Sequence, residues 1–207
     1  MSLVVIGAGG HALVVLDAAL SGSLPVAGLV DQVVPAGQMI GAVQVLGDDT
    51  LFQDPSFVQA HPFHLSMSNP AVKQRLAESL QAHSTTIVSI IHPTAIVSLS
   101  AAIEAGVFIN AGADVNAGAQ IGSHAIVNTR ASIDHGCRIG AAVHVAPGVT
   151  ICGDVVVGEA AEIGPSALIG RGMQIGAGAV IGAGGVVLSD VAATSRVLGV
   201  PARPAGK

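Results

Sequence analysis

The chain has 207 residues, 51% of them apolar, yet only four are aromatic and none is Trp or Tyr. A net charge of −5 without a basic stripe excludes a nucleic-acid surface, and Cys137 and Cys152 form neither a disulfide framework nor a zinc spacing. With 27 glycines and an apolar set of Val, Ile and Ala, the interior has to be thin and repetitive, because large rings normally fill a wide core.

In chain order, residues 3 to 6 (Leu-Val-Val-Ile) predict a buried strand. Gly7-Ala8-Gly9-Gly10-His11-Ala12 follows, and a helix is expected from about Ala12 to Leu20, ended by Ser21-Gly22. The stretch is apolar, but its glycines, His11 and Asp17 and the lack of a positive leader argue against a membrane span or signal peptide. A soluble, cytoplasmic protein is expected.

A second strand, Val26 to Val30, ends at Asp31. The resulting βαβ start carries Gly-x-Gly-x-x-Ala, in which backbone amides and a helix N-terminus face a phosphate. Asp31 is spaced to meet a ribose hydroxyl. The motif would also suit NAD, but only about 85 residues precede the next segment, half of a dinucleotide fold, so a mononucleotide fits better. Leu65-Ser66-Met67-Ser68-Asn69 reads as a strand end and loop, followed by a helix containing Lys73, Arg75 and Leu76.

From Ile91 to Val187 every sixth residue is Val or Ile, seventeen positions in all. Those types make up roughly a fifth of the chain, so chance would fill about four of the seventeen. Small residues recur four places after the anchors, as in Ala95, Ala101, Ala113, Ala119, Ala125 and Ala131. A strict period of six predicts a triangular parallel β-helix, with three hexapeptides to a coil and stiff β-branched anchors stacked inside. The expected organisation is a Rossmann-like α/β domain over 1–85, a β-helix over 86–189 and a C-terminal tail over 190–207.

Together these features resemble the hexapeptide-repeat acyltransferases. The branch they resemble holds the bacterial sugar N-acetyltransferases of the bacillosamine and perosamine pathways and the sialic-acid O-acetyltransferases. The marks are Gly9-Gly10-His11, Asn128-Thr129 followed by Ile133-Asp134-His135, His144 in the next coil, and Leu198-Gly199-Val200-Pro201-Ala202-Arg203 at the end. The resemblance implies a left-handed coil, a homotrimer, acetyl-CoA as co-substrate and a nucleotide-linked amino sugar as acceptor, with no metal.

By the same resemblance His135 is the general base and Asn128 a polar residue beside it. His144, Gly164, Pro165, Gly182, Ala183 and Arg203 would meet acetyl-CoA, and Gly9, Gly10, His11, Asp31 and Ser68 the nucleotide sugar. Two positions depart from the pattern. Gly136 stands where relatives carry an acidic residue after the histidine, and Ser68 where many carry glycine. Asp134 precedes His135, but strand neighbours point to opposite faces, so it is no simple substitute. Glu159 and Glu162, one coil on, are the other candidates to orient the ring.

Histidine suits the chemistry, since an attacking amine must shed a proton near neutral pH. Three other functions share parts of this pattern. Transfer to a sugar hydroxyl, as in sialic-acid O-acetylation, would use the same base. A γ-class carbonic anhydrase would need converging zinc histidines, whereas His124, His135 and His144 are spaced eleven and nine apart. A binding protein could keep the nucleotide pocket without the chemistry.

Overall fold

The computed structural model describes every residue except Ser68, His83, Ser84, Gly206 and Lys207, and of Gln81 and Ala82 only the backbone. The chain divides into two compact units, Met1–Pro93 and Thr94–Lys207.

The first unit is a layered α/β domain. Strand β1 (Leu3–Ile6) is buried throughout and pairs in parallel with β2 (Val26–Val30) on one side and β5 (Phe63–Leu65) on the other. Next to β2 lies β4 (Val43–Gly47), which forms an antiparallel hairpin with β3 (Met39–Ile40). The order is therefore β3-β4-β2-β1-β5. From β1 the chain crosses to β2 through α1 (Gly10–Ser21) and later returns to β1's other edge through α2 (Pro55–Ala60). The order reverses at β1, and open parallel sheets leave a ligand crevice at the carboxyl ends beside such a reversal.

Helix α1 starts two residues earlier than the sequence predicts. Gly9 takes an extended conformation and acts as the N-cap, so Gly10 and His11 already belong to the helix. Three of the four phenylalanines meet in this unit: Phe52 packs edge-on against Phe63 with ring centroids 5.7 Å apart, and Phe57 lies tilted against Phe63 at 6.2 Å. The bulk missing from the repeat is concentrated here, where a sheet and helices enclose a wider core. The last helix, α3 (Pro70–Ala82), buries Lys73, and burial pushes its amine down to about 8.

The second unit is a prism with three parallel sides. Side one stacks Ile96–Val97, Asp114–Val115, Ser132–Ile133, Thr150–Ile151, Leu168–Ile169 and Val186–Val187. Side two stacks Ala102–Ile103, Gln120–Ile121, Arg138–Ile139, Val156–Val157 and Gln174–Ile175. Side three runs upward from Phe108–Ile109 through Ile126–Val127, His144–Val145, Glu162–Ile163 and Val180–Ile181 to Arg196–Leu198. Up to Val187 each strand residue pairs with the one eighteen positions on, as in Ile133↔Ile151 and Ile121↔Ile139, and the last step of side three, Ile181↔Val197, is sixteen.

The anchors from Ile109 to Val187 are almost wholly buried, with Val and Ala from the turns filling the rest of the column. The repeat does not stop at Val187. Arg196–Leu198 adds a further strand to side three, and Arg203–Pro204 folds back antiparallel against it. None of the described helices is long and apolar enough to cross a membrane.

Candidate active site

In the first unit a cavity of about 450 Å³ opens at the carboxyl ends of β1, β2 and β5. The predicted Gly9, Gly10, His11 and Asp31 all line it, and Met67 and Arg75 complete its wall. Gly7 makes the turn out of β1: its φ is +98°, and a Cβ there would come within 3.2 Å of the Ser66 carbonyl. Gly9 and Gly10 differ, because a Cβ on either would meet nothing within 4 Å. They face open space at the start of α1, where the cap residue has no side chain to cover the helix end. Such an end attracts an anion.

Asp31 has work inside the protein. Its Oδ2 accepts from the Ala8 N–H at 2.7 Å and its Oδ1 from the Val33 and Val34 N–H groups at 2.8 and 2.9 Å. Burial alone would raise this carboxyl, but the three backbone donors outweigh it and hold the pKa below the usual aspartate value. The carboxylate therefore ties the glycine turn to the loop after β2, and both border the cavity. Ser68 lies outside the described residues. Arg75, given no role from sequence, is the cation of this wall, and its i, i+3 spacing from Val72 on α3 was the available signal.

On the prism the predicted residues fall into two groups. Asn128 occupies the corner between sides three and one. Gly164 and Gly182 follow it at multiples of eighteen, and Pro165 and Ala183 form the adjoining column above Thr129. A Cβ on Gly164 would lie 2.7 Å from the Ala183 nitrogen, and one on Gly182 2.8 Å from the Leu198 Cβ, so successive coils approach here as only glycine allows. Asn110, unnoticed from sequence, is 4% exposed in the coil below. Its amide donates to Asn128 Oδ1 at 3.1 Å and to Thr129 Oγ1 at 2.7 Å, fixing both. His144 stands on side three between Ile126 and Glu162, and Arg203 is exposed near the top of that side.

His135 belongs to the other group. It sits at the corner between sides one and two, which in a triangular coil is the corner facing away from side three. One chain therefore does not bring His135 together with His144 or Asn128.

The ring of His135 rests on the next coil: a Cβ on Gly153 would lie 2.5 Å from its Cε1 and 2.6 Å from its Nε2. Its Nδ1 is 3.8 Å from Asp154 Oδ1, and Asp154 Oδ2 accepts from Arg171 Nε and Nη2 at 3.2 and 2.8 Å. The candidates named from sequence to orient the ring do not reach it. Asp134 Oδ1 accepts from the His135 backbone N–H at 2.7 Å, while Glu162 pairs beside His144 and Glu159 lies at the corner between sides two and three.

His124 is at that same far corner, and among the described residues no three His, Cys, Asp or Glu side chains cluster as metal ligands. Burial pushes the Cys137 thiol up, and its Sγ donates to the Cys152 carbonyl at 3.1 Å, so neither feature makes it a nucleophile.

The N-terminal residues 2–80 match the family model described as the PglD N-terminal domain. The whole chain is similar to perosamine N-acetyltransferase from Caulobacter crescentus, solved with CoA and GDP-perosamine: 36% identity, 100% of this chain and 98% of that one, TM-score 0.94. It is also similar to the acetyltransferase domain of PglB from Neisseria gonorrhoeae, solved with acetyl coenzyme A, at 32% identity over 99% and 98% with TM-score 0.92.

The chain belongs to the hexapeptide-repeat nucleotide-sugar N-acetyltransferases. It is an acetyl-CoA-dependent sugar N-acetyltransferase whose prism is the left-handed β-helix of that family. WeeI from Acinetobacter baumannii, at 23% identity and TM-score 0.90, shares the fold. No curated protein matches by sequence.

Proposed function

We propose that the enzyme transfers the acetyl group of acetyl-CoA to the amine of a nucleoside-diphosphate-linked 4-amino sugar, with His135 as the base. The observation that carries this is the end-to-end likeness to an enzyme solved with CoA and GDP-perosamine, a nucleotide sugar of that class. Two further structures of that enzyme have a histidine replaced by asparagine or alanine.

In this chain the diphosphate lies at the uncovered start of α1, over Gly9 and Gly10 and beside His11, with Arg75 as the nearby cation. The acetyl-CoA arm follows the column of Gly164-Pro165 and Gly182-Ala183 toward His144, with Arg203 near its far end. As the amine nitrogen attacks the thioester carbonyl, a C–N bond forms and His135 takes the amine proton. The C–S bond then breaks and CoA leaves as thiolate. Neither cysteine takes part.

The separation of the two residue groups within one prism supports a homotrimer. There the corner bearing His135 faces the Asn128–His144 edge of a neighbouring chain, and each site is made by two chains. A reaction drawing on acetyl-CoA and an activated sugar fits the cytoplasm.

The reading is tested by incubating the protein with acetyl-CoA and UDP-, GDP- and dTDP-4-amino sugars and weighing the products. One acceptor is expected to gain an acetyl group, with kcat lowered at least about a hundredfold in His135→Ala. Acetyl transfer only to a sugar hydroxyl, or a fully active His135→Ala, would refute it.

A further inference from the structure

The corner that carries His135 repeats every eighteen residues, so its side chains form columns. His135, Gly153 and Arg171 occupy one, and Gly136, Asp154 and Gly172 the column beside it. The two columns are laced by backbone: the Asp154 N–H donates to the His135 carbonyl at 2.9 Å, and the Gly172 N–H to the Gly153 carbonyl at 3.0 Å. Asp154 shares its left-handed conformation, φ +63°, with the glycines above and below it. Of the three residues in that column, only Asp154 has a side chain.

That side chain occupies the space over Gly136. A Cβ at 136 would begin 2.6 Å from Asp154 Oδ1, too close for both to exist as they stand. Arg171 grips the far oxygen, Oδ2, with two N–H groups and leaves Oδ1 turned toward His135 Nδ1. The three side chains are at least half exposed, and an ion pair in water contributes little to folding. What the arrangement does instead is hold a negative charge beside one nitrogen of the ring.

We propose that Asp154 is the positioning residue for His135, taking from the following coil the place of the acidic residue that this chain lacks at 136. The proposal rests on His135 being the base. A carboxylate at Nδ1 favours the tautomer that carries its proton there, which leaves the Nε2 lone pair to accept from the amine. It also steadies the imidazolium once the proton has arrived. At 3.8 Å the carboxylate is within ion-pair reach of an imidazolium and just beyond a hydrogen bond to the neutral ring, and catalytic hydrogen bonds commonly shorten when substrate is bound. Arg171 sets the carboxylate rotamer, and Gly153 gives the ring a flat seat.

The test compares steady-state kinetics of the native enzyme with Asp154→Asn, Asp154→Gly, the exchange Gly136→Asp with Asp154→Gly, and His135→Ala. Asparagine keeps the shape of Asp154 and tolerates the left-handed backbone, and glycine already stands at that corner in the coils above and below. Asp154→Asn is expected to lower kcat about 10- to 100-fold, leaving both KM values within about twofold. The exchange variant is expected to recover activity to within about tenfold of native, because it moves the carboxylate back beside the ring.

A kcat within about twofold of native in Asp154→Asn, with His135→Ala inactive, would overturn the role of Asp154 and leave the base assignment standing. A raised KM with kcat unchanged would also overturn it, as would an exchange variant no faster than Asp154→Gly. If His135→Ala itself stayed active, the reading of the base would fall instead.

Discussion

Replacing Gly153 by alanine should damage catalysis without damaging the fold. The added Cβ would stand 2.5 Å from His135 Cε1, where ordinary contact begins at 3.4 Å. The coil cannot yield easily, because Gly153 is buried and its carbonyl accepts from the Gly172 N–H at 3.0 Å. The imidazole, half exposed, is the part that moves, by about 1 Å. A displacement of that size at a reacting group costs on the order of 100-fold, or about 2.7 kcal/mol of barrier.

The φ of Gly153 lies outside the left-handed region, so alanine fits the backbone and removes some freedom of the unfolded chain. That contributes about 0.4–1 kcal/mol of stability, offset by the displaced ring. The melting temperature should therefore shift by no more than about 4 °C. Steady-state kinetics and a thermal melt decide it. An alanine variant with native kcat would mean that the ring needs no seat on the next coil. A drop in Tm well beyond that range would mean that the backbone took the strain.

Gly9→Asp should raise the KM for the nucleotide sugar at least tenfold and leave that for acetyl-CoA unchanged. Aspartate is a favourable N-cap for α1, so it should cover the amides that the diphosphate needs while the protein melts no lower than native; unchanged KM values would refute the anion site. Asp31→Asn should lower stability by about 1–3 kcal/mol at pH 7, since a carboxylate that accepts three backbone N–H groups becomes an amide with a single acceptor oxygen. Because its folded pKa is depressed, the native contribution is present above the ordinary value of 3.8 and fades as pH falls through the folded value. Urea unfolding at pH 7 and pH 3 should show the native–variant gap closing at the lower pH, and a gap of equal size at both would contradict it.

The prism was legible because its signal is one-dimensional. A period of six names every buried anchor, and the observed sides use those positions in register. The glycine turn after β1 was legible for a related reason: one short window holds the strand, the turn and the helix start. The segment from Gln32 to Pro62, with its hairpin and α2, offers no such pattern and draws its order from tertiary packing such as the Phe52, Phe57 and Phe63 cluster. Asp31 was legible as a residue of the cavity wall, but its three amide partners were not, since two belong to a loop with no repeat and one to the opposite side of the turn.

Asp154 was missed for a reason peculiar to this architecture. In a β-helix each residue has neighbours at one step along the chain and others at eighteen steps across coils, at similar distances. A side chain at position 19 after His135 is as close to it in space as one at position 1, and the Asp154 N–H bonded to the His135 carbonyl shows how direct that adjacency is. Reading the residue after the histidine finds Gly136 and an apparent gap. Reading the column finds that the glycine is what makes room for the carboxylate above it. In this chain a carboxylate exchanged from 154 to 136 would stay at the same corner of the prism, provided that glycine takes the vacated position. Along the chain such an exchange would count as two changes eighteen residues apart, and on the prism it keeps one charge beside one ring.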